Sequence, residues 1–202
     1  MLDAALIKEC ADSSLKPAIV EQFVDAVGSP DPLAITMKSG GRLILVPKAK
    51  TADTALEIIR QNVGHAVVRV GLTQFPAGVG ARDASELKPN LVEPCANLRV
   101  GTAMFAKILR IVTKWYGSPK NEEVFPQIFD DAVYAWKTGE FEGESVFQAE
   151  DPGAAVTVQP NGVVHSDAST TAEQLVEPAA SAQSNAQDTG IRIDLSRIGG
   201  QH

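Results

Sequence analysis

The sequence predicts an α+β domain, mainly helical with one small β-hairpin, followed by a C-terminal tail without a core of its own. Three observations predict this. Apolar residues recur every three to four positions in five segments between residues 2 and 138. Two β-like runs, Leu33–Met37 and Arg42–Val46, flank Lys38-Ser39-Gly40-Gly41, which reads as a hairpin turn. After Phe147 no aromatic residue occurs, and Ala, Ser, Thr, Gln, Gly and Pro dominate. Such a composition buries too little apolar surface to offset the entropy of ordering. The reading is therefore a body over residues 1–147 and a disordered acidic tail over 148–202.

The elements follow in order. Residues 2–11 form a short helix with Leu2, Leu6 and Ile7 apolar. Ser14 is a candidate N-cap for the next helix, with Pro17 tolerated in its first turn. Ile19, Val20, Phe23, Val24 and Val27 make its apolar face, and Gly28-Ser29-Pro30 ends it. After the hairpin, Thr51 or Thr54 caps a helix whose face is Leu56, Ile59 and Val63, with Glu57 placed for a capping box. A β-branched strand, Val67–Val70, comes next, then a Pro/Gly/Asn-rich loop over 76–97. The strongest helix spans Leu98–Tyr116, with Leu98, Phe105, Ile108, Leu109, Val112, Trp115 and Tyr116 on one stripe. A last helix covers about 121–138, with Phe125, Ile128, Phe129, Ala132, Val133 and Trp136 as its face, and stops at Gly139.

Charge and composition exclude several function classes. The chain has 202 residues, 44% hydrophobic, and a net charge of −7. Residues 148–202 hold seven acids and two bases, so the tail carries −5 and the body only −2. A near-neutral body has no electrostatic footprint for direct nucleic-acid binding. No Lys/Arg run addresses an anionic membrane, and no apolar run is long enough for a membrane span. The opening Met1-Leu2-Asp3-Ala4 reads as the start of a helix rather than a signal peptide, which taken literally keeps the chain in the cytoplasm. There are no internal repeats, no phosphate-binding loop, no dinucleotide fingerprint and no metal-spaced His/Cys/Asp cluster, so no cofactor and no metal are expected. His65, beside the Gly64 stop, reads as a helix-end residue. Two cysteines, Cys10 and Cys95, are too few for a disulfide scaffold or a zinc site. They read as two buried thiols or as one long-range disulfide.

The stretch Val70-Gly71-Leu72-Thr73-Gln74-Phe75-Pro76-Ala77-Gly78 follows the strand and turns into the loop. Glycine admits close approach to the backbone, and glutamine offers a donor and an acceptor. Gly71, Leu72, Thr73 and Gln74 are thus candidates for one wall of a groove for a polar ligand.

Several segments, taken in order, resemble the specialised lytic transglycosylases of type IV secretion and conjugation systems, which are lysozyme-fold enzymes of the peptidoglycan wall. Glu9-Cys10-Ala11-Asp12 is similar to the family's opening Cys-Ala-Pro. Asp31-Pro32-Leu33-Ala34-Ile35 resembles the run that follows the catalytic Glu-Ser. Val70–Phe75 resembles Val-Gly-Leu-Met-Gln-Ile, and Glu93–Gly101 resembles Asp-Pro-Cys-x-Asn-Leu-Arg-x-Gly. Ala135-Trp136-Lys137-Thr138-Gly139-Glu140 stands where the family has Ala-Tyr-Asn-Ser-Gly-Asn. The likeness covers about residues 6–147. The chain also resembles the TraH family encoded in plasmid conjugal transfer regions.

The resemblance implies a lysozyme-like, transglycosylase-like body and a groove for the peptidoglycan glycan strand, with Trp136 as a further wall. It implies a Cys10–Cys95 disulfide and a periplasmic setting. In the family one carboxylic acid protonates the glycosidic oxygen and then acts as base on the sugar's own hydroxyl. Here Val27 and Gly28 stand where that Glu-Ser belongs. Glu21 and Asp25 are the nearest carboxylates; Asp25 lies about 200° around the helix from Val27.

Three readings follow. The first is a conjugal-transfer accessory with a degenerate domain that binds peptidoglycan without cleaving it. The second is an active transglycosylase with a relocated acid. The third is a scaffold whose tail, notably Ile191–Ile198 with its alternating apolar residues, docks a secretion-channel or transfer-apparatus protein.

Overall fold

The computed structural model describes residues 3–81 and 83–153. The tail beyond them, with the proposed docking segment 191–198, lies outside the described residues. Helix α1 (Ala4–Cys10) is capped by Asp3, whose carboxylate accepts from the Ala5 amide at 2.9 Å. Helix α2 spans Pro17–Val27. Its cap is Lys16 rather than Ser14, and no side chain caps it. Proline already holds a helical φ, and the amide it lacks at the first helical position has no intrahelical acceptor, so the helix begins at Pro17. Ser14 lies too far upstream to cap it and bonds Asp12 instead. The expected face of α2 is buried at Ile19, Val20, Phe23 and Val24.

The hairpin of β1 (Ile35–Ser39) and β2 (Arg42–Ile44) forms at Gly40-Gly41, both with positive φ. It is half of a larger sheet. Helix α3 (Ala52–Asn62) intervenes, and β3 (Val67–Val70) then pairs antiparallel with β1, Met37 opposite Val68 and Ile35 opposite Val70. The two-residue β4 (Phe75–Pro76) pairs with β3, giving the order β2-β1-β3-β4. The fold is α+β, with five helices and a small antiparallel sheet among the described residues. Thr51 caps α3 by accepting from the Thr54 amide at 3.2 Å. Glu57 accepts from Gln61 rather than reaching back to the cap.

The loop before α4 contains two 3-10 turns, Ala84–Glu86 and Pro89–Val92. Helix α4 (Pro94–Trp115) starts four residues earlier than its apolar stripe, because Pro94 fits the first position and Glu93 caps Cys95 and Ala96. Helix α5 (Phe125–Thr138) ends at Gly139 in the left-handed region, φ +85°. A hairpin not foreseen from the sequence follows, β5 (Glu140–Phe141) with β6 (Glu144–Ser145), turned through Glu142 and Gly143, both at positive φ.

Two apolar clusters hold the body. Phe23, Phe105 and Trp136, all fully buried, join α2, α4 and α5. Phe23 stacks on Phe105 at 4.0 Å and meets Trp136 edge-on at 5.0 Å. Met37, Leu56, Ile59, Val68 and Val70 join α3 to the inner face of the sheet. Trp115, expected on the buried stripe, is instead 57% exposed. It terminates α4, and its ring meets those of Tyr116 and Phe141 edge-on. A Cys10–Cys95 disulfide ties the end of α1 to the start of α4. Lys107 donates to the carbonyls of Phe147 and Ala149, and Arg110 pairs with Asp151, so residues 147–151 are held on α4.

Candidate functional site

The turn after β3 is the structural hub of the site. Gly71 (φ +75°) and Gln74 (φ +50°) reverse the chain, and residues 71–77 are all buried. Asn97 of α4 holds this turn from behind. Its carbonyl accepts from both the amide and the hydroxyl of Thr73 at 3.0 Å. Its amide donates to Val70 at 3.0 Å and to Leu91 at 2.8 Å. All the strong bonding capacity of one buried amide is thereby used. Helix α2 abuts the same turn: the Ser29 amide donates to the Leu72 carbonyl at 3.0 Å. A Cβ built on Gly28 would lie 2.2 Å from that carbonyl oxygen, so the close approach requires glycine there.

In front of the turn, a cleft of about 460 Å³ opens between the end of α2, the outer sheet face and the end of α5. Val27 and Ala34 supply apolar wall with the fully buried Trp136 behind them, and Gln74 supplies an amide whose Nε2 already donates to the carbonyls of Gly71 at 3.0 Å and Ala34 at 3.5 Å. Lys38, Arg69 and Lys137 supply positive charge. No carboxylate of the described residues lines it. Lys38, Arg69 and Lys137 also border an adjoining cleft of about 450 Å³ toward Gly40, Val67 and Ser145. A roomier cleft of about 650 Å³ lies elsewhere, between the end of α4 and the β5–β6 hairpin. Its acids include Asp151, which is already engaged by Arg110, and it holds none of the residues singled out from the sequence.

Arg69 joins sheet to helix. Its guanidinium donates to the carbonyls of Trp136 at 2.7 Å, Lys137 at 3.0 Å and Gln74 at 3.3 Å. A cation on the last carbonyls of α5 complements the negative end of the helix dipole. Burial pushes the Arg69 pKa down from the usual arginine value. The Trp136 ring is fully buried, and its indole N–H has no hydrogen-bond partner among the described residues. A buried donor without a partner costs about 1–3 kcal/mol, and the ring that carries it is packed among Phe23, Phe75, Phe105 and Phe147.

Of the residues singled out from the sequence, Gln74 and Trp136 meet at this cleft. Gly71, Leu72 and Thr73 stand behind it, with Thr73 wedged against Gly101 and Asn97. Glu21 and Asp25 are both exposed on α2, and neither lines the cleft. His65 is exposed in the turn after α3. Lys38 and Arg69 were not foreseen. The one available signal for Arg69 was a long cation inside a run of valines. Among the described residues no three His, Cys, Asp or Glu side chains gather as metal ligands.

Fold and site define a disulfide-tied α+β domain whose cleft is cationic, backed by a buried tryptophan and lined, among the described residues, by no carboxylate. The chain belongs to the TraH_2 family, whose model matches residues 1–200. It is 63% identical over 204 residues to "Uncharacterized protein y4dP" of Sinorhizobium fredii (strain NBRC 101917 / NGR234), across 99% of this chain and 100% of the relative. No solved structure matches. Membership in TraH_2 supports a role in conjugal transfer. Neither match is to a lytic transglycosylase. No helix among the described residues is long and apolar enough to cross a membrane.

Proposed function

We propose that the protein is an accessory of plasmid conjugal transfer by a type IV secretion apparatus, and that its cleft holds a peptidoglycan glycan strand without cleaving it. The observation that carries this reading is the lining at the end of α2. Val27 faces the cleft where the resemblance to lytic transglycosylases calls for an acid, and no carboxylate stands in its place. Cleavage of a glycosidic bond needs a proton donor within about 3 Å of the bridging oxygen. Val27 has no proton to give, and the exposed Glu21 and Asp25 lie outside the lining. Binding needs less. Gln74 offers a polar edge, and Lys38 and Lys137 meet the carboxylates of the wall's peptide stems.

The Cys10–Cys95 disulfide favours an oxidising compartment, which suits a periplasmic site of action. The acidic tail, with its alternating Ile191–Ile198 segment, serves in this reading to dock a channel component. The test is co-sedimentation of the full-length protein with purified sacculi. Filling the cleft with Val27→Trp is expected to lower binding at least tenfold while near-ultraviolet dichroism stays native. Unchanged binding by a natively folded variant would remove the cleft from the account.

A further inference from the structure

We propose that the outer edge of β2 docks an extended, acidic segment of a partner protein as a fifth strand of the sheet. The order β2-β1-β3-β4 leaves β2 at an edge, and no described strand pairs with its far side. The opposite edge is closed: Phe75 and Pro76 of β4 are both buried. At β2 the reverse holds. Leu43 is 66% exposed and Leu45 is 94% exposed. The register places Leu43 and Val67 on either side of Lys38, all on the outer face. Val67 is 56% exposed. Four of the seven exposed large hydrophobic residues fall at this corner, so they form a patch rather than scattered surface residues.

Free edges in stable proteins are blunted or covered, and an edge flanked by apolar side chains is a template for strand addition. Charge selects the occupant. Between Asp31 and Asp53 the chain has Lys38, Arg42, Lys48 and Lys50 and no acid. Lys48 is engaged by Asp31 at 3.0 Å. Lys38 and Arg42 have no ion-pair partner among the described residues. A second copy of this strand would bring like charges together, whereas a strand alternating apolar and acidic residues meets both features. Its apolar side chains would lie over Leu43 and Leu45 on the outer face, and its carboxylates, on the opposite face, would reach Arg42. This surface is independent of the glycan reading, because its key side chains Arg42, Leu43 and Leu45 are outside the cleft lining.

The experiment uses the full-length protein and a fluorescein-labelled octapeptide of alternating glutamate and valine, followed by anisotropy. The same peptide with lysine for glutamate is the control. The glutamate peptide is expected to bind, to weaken with added salt, and to lose at least tenfold in affinity with Leu43→Asp and with Arg42→Glu. The lysine peptide is expected not to bind. Absence of binding, or binding untouched by both substitutions in natively folded variants, overturns the proposal. Sedimentation showing a dimer that Leu43→Asp dissolves would also overturn it, by assigning the edge to a second copy.

Discussion

Replacing Asn97 by alanine removes one side chain and leaves three buried groups and one half-buried group without it. The Thr73 amide and hydroxyl lose their acceptor, and the carbonyls of Val70 and Leu91 lose their donor. Each group left unpaired in the interior costs about 1–3 kcal/mol. The total is less than additive, because the Thr73 hydroxyl can rotate and the vacated space can admit water. A loss of about 3–5 kcal/mol is expected, a large share of the roughly 5–15 kcal/mol of a whole domain. Urea unfolding with the disulfide intact reads this as a lower midpoint. Asn97→Asp sharpens the test. It keeps acceptors for Thr73 but turns a carboxylate toward two carbonyls, so it is expected to be at least as damaging at neutral pH. It should recover in part as the pH falls and the acid regains a donor. A loss below about 1 kcal/mol for Asn97→Ala would refute the hub argument, since a single net hydrogen bond is worth that much.

The Cys10–Cys95 bond closes a loop with a sequence separation of 85. In the chain-entropy account this contributes about 4–5 kcal/mol, so the Cys10→Ser/Cys95→Ser variant is expected to melt roughly 10 °C or more below the parent. A melting temperature indifferent to reductant would contradict it. The Arg110 guanidinium beside Asp151 holds that carboxyl below its ordinary 3.8. A depressed folded pKa gives stability that is present above the unfolded value and lost as pH falls through the folded one. The clasp of residues 147–151 on α4 is therefore expected to open below about pH 4. Amide exchange at Phe147–Asp151, compared with Asp151→Asn at neutral pH, checks this; equal protection in the two proteins at neutral pH would count against it.

Periodicity made α2, α3 and α5 legible, because Phe23, Ile59 and Phe129 recur on stripes that the folded chain buries. It misplaced the start of α4. The apolar stripe begins at Leu98, whereas the helix is nucleated upstream by Pro94 and the Glu93 cap. It missed β4, β5 and β6, since two-residue strands have no period to read. The chemistry of the stretch after β3 reads Leu72 and Thr73 as groove wall. Both are buried, and Thr73 lies inward against Asn97 and Gly101, a tertiary consequence of Gly71 and Gly101, 30 positions apart. Arg69 was invisible as a site residue for a related reason: its partners Trp136 and Lys137 come from the far end of the chain. Gln74 and Trp136 were placed together by the order of segments in the resemblance, not by any local signal.

The proposed wall-binding cleft holds glycan and performs no cleavage. Its most direct test is incubation of the purified full-length protein with sacculi, with the soluble fraction analysed for anhydro-muropeptides by mass spectrometry and the pellet for bound protein. The account predicts protein in the pellet and no anhydro products. Anhydro products that vanish with Glu21→Gln or Asp25→Asn would contradict it and would identify an enzyme with a relocated acid.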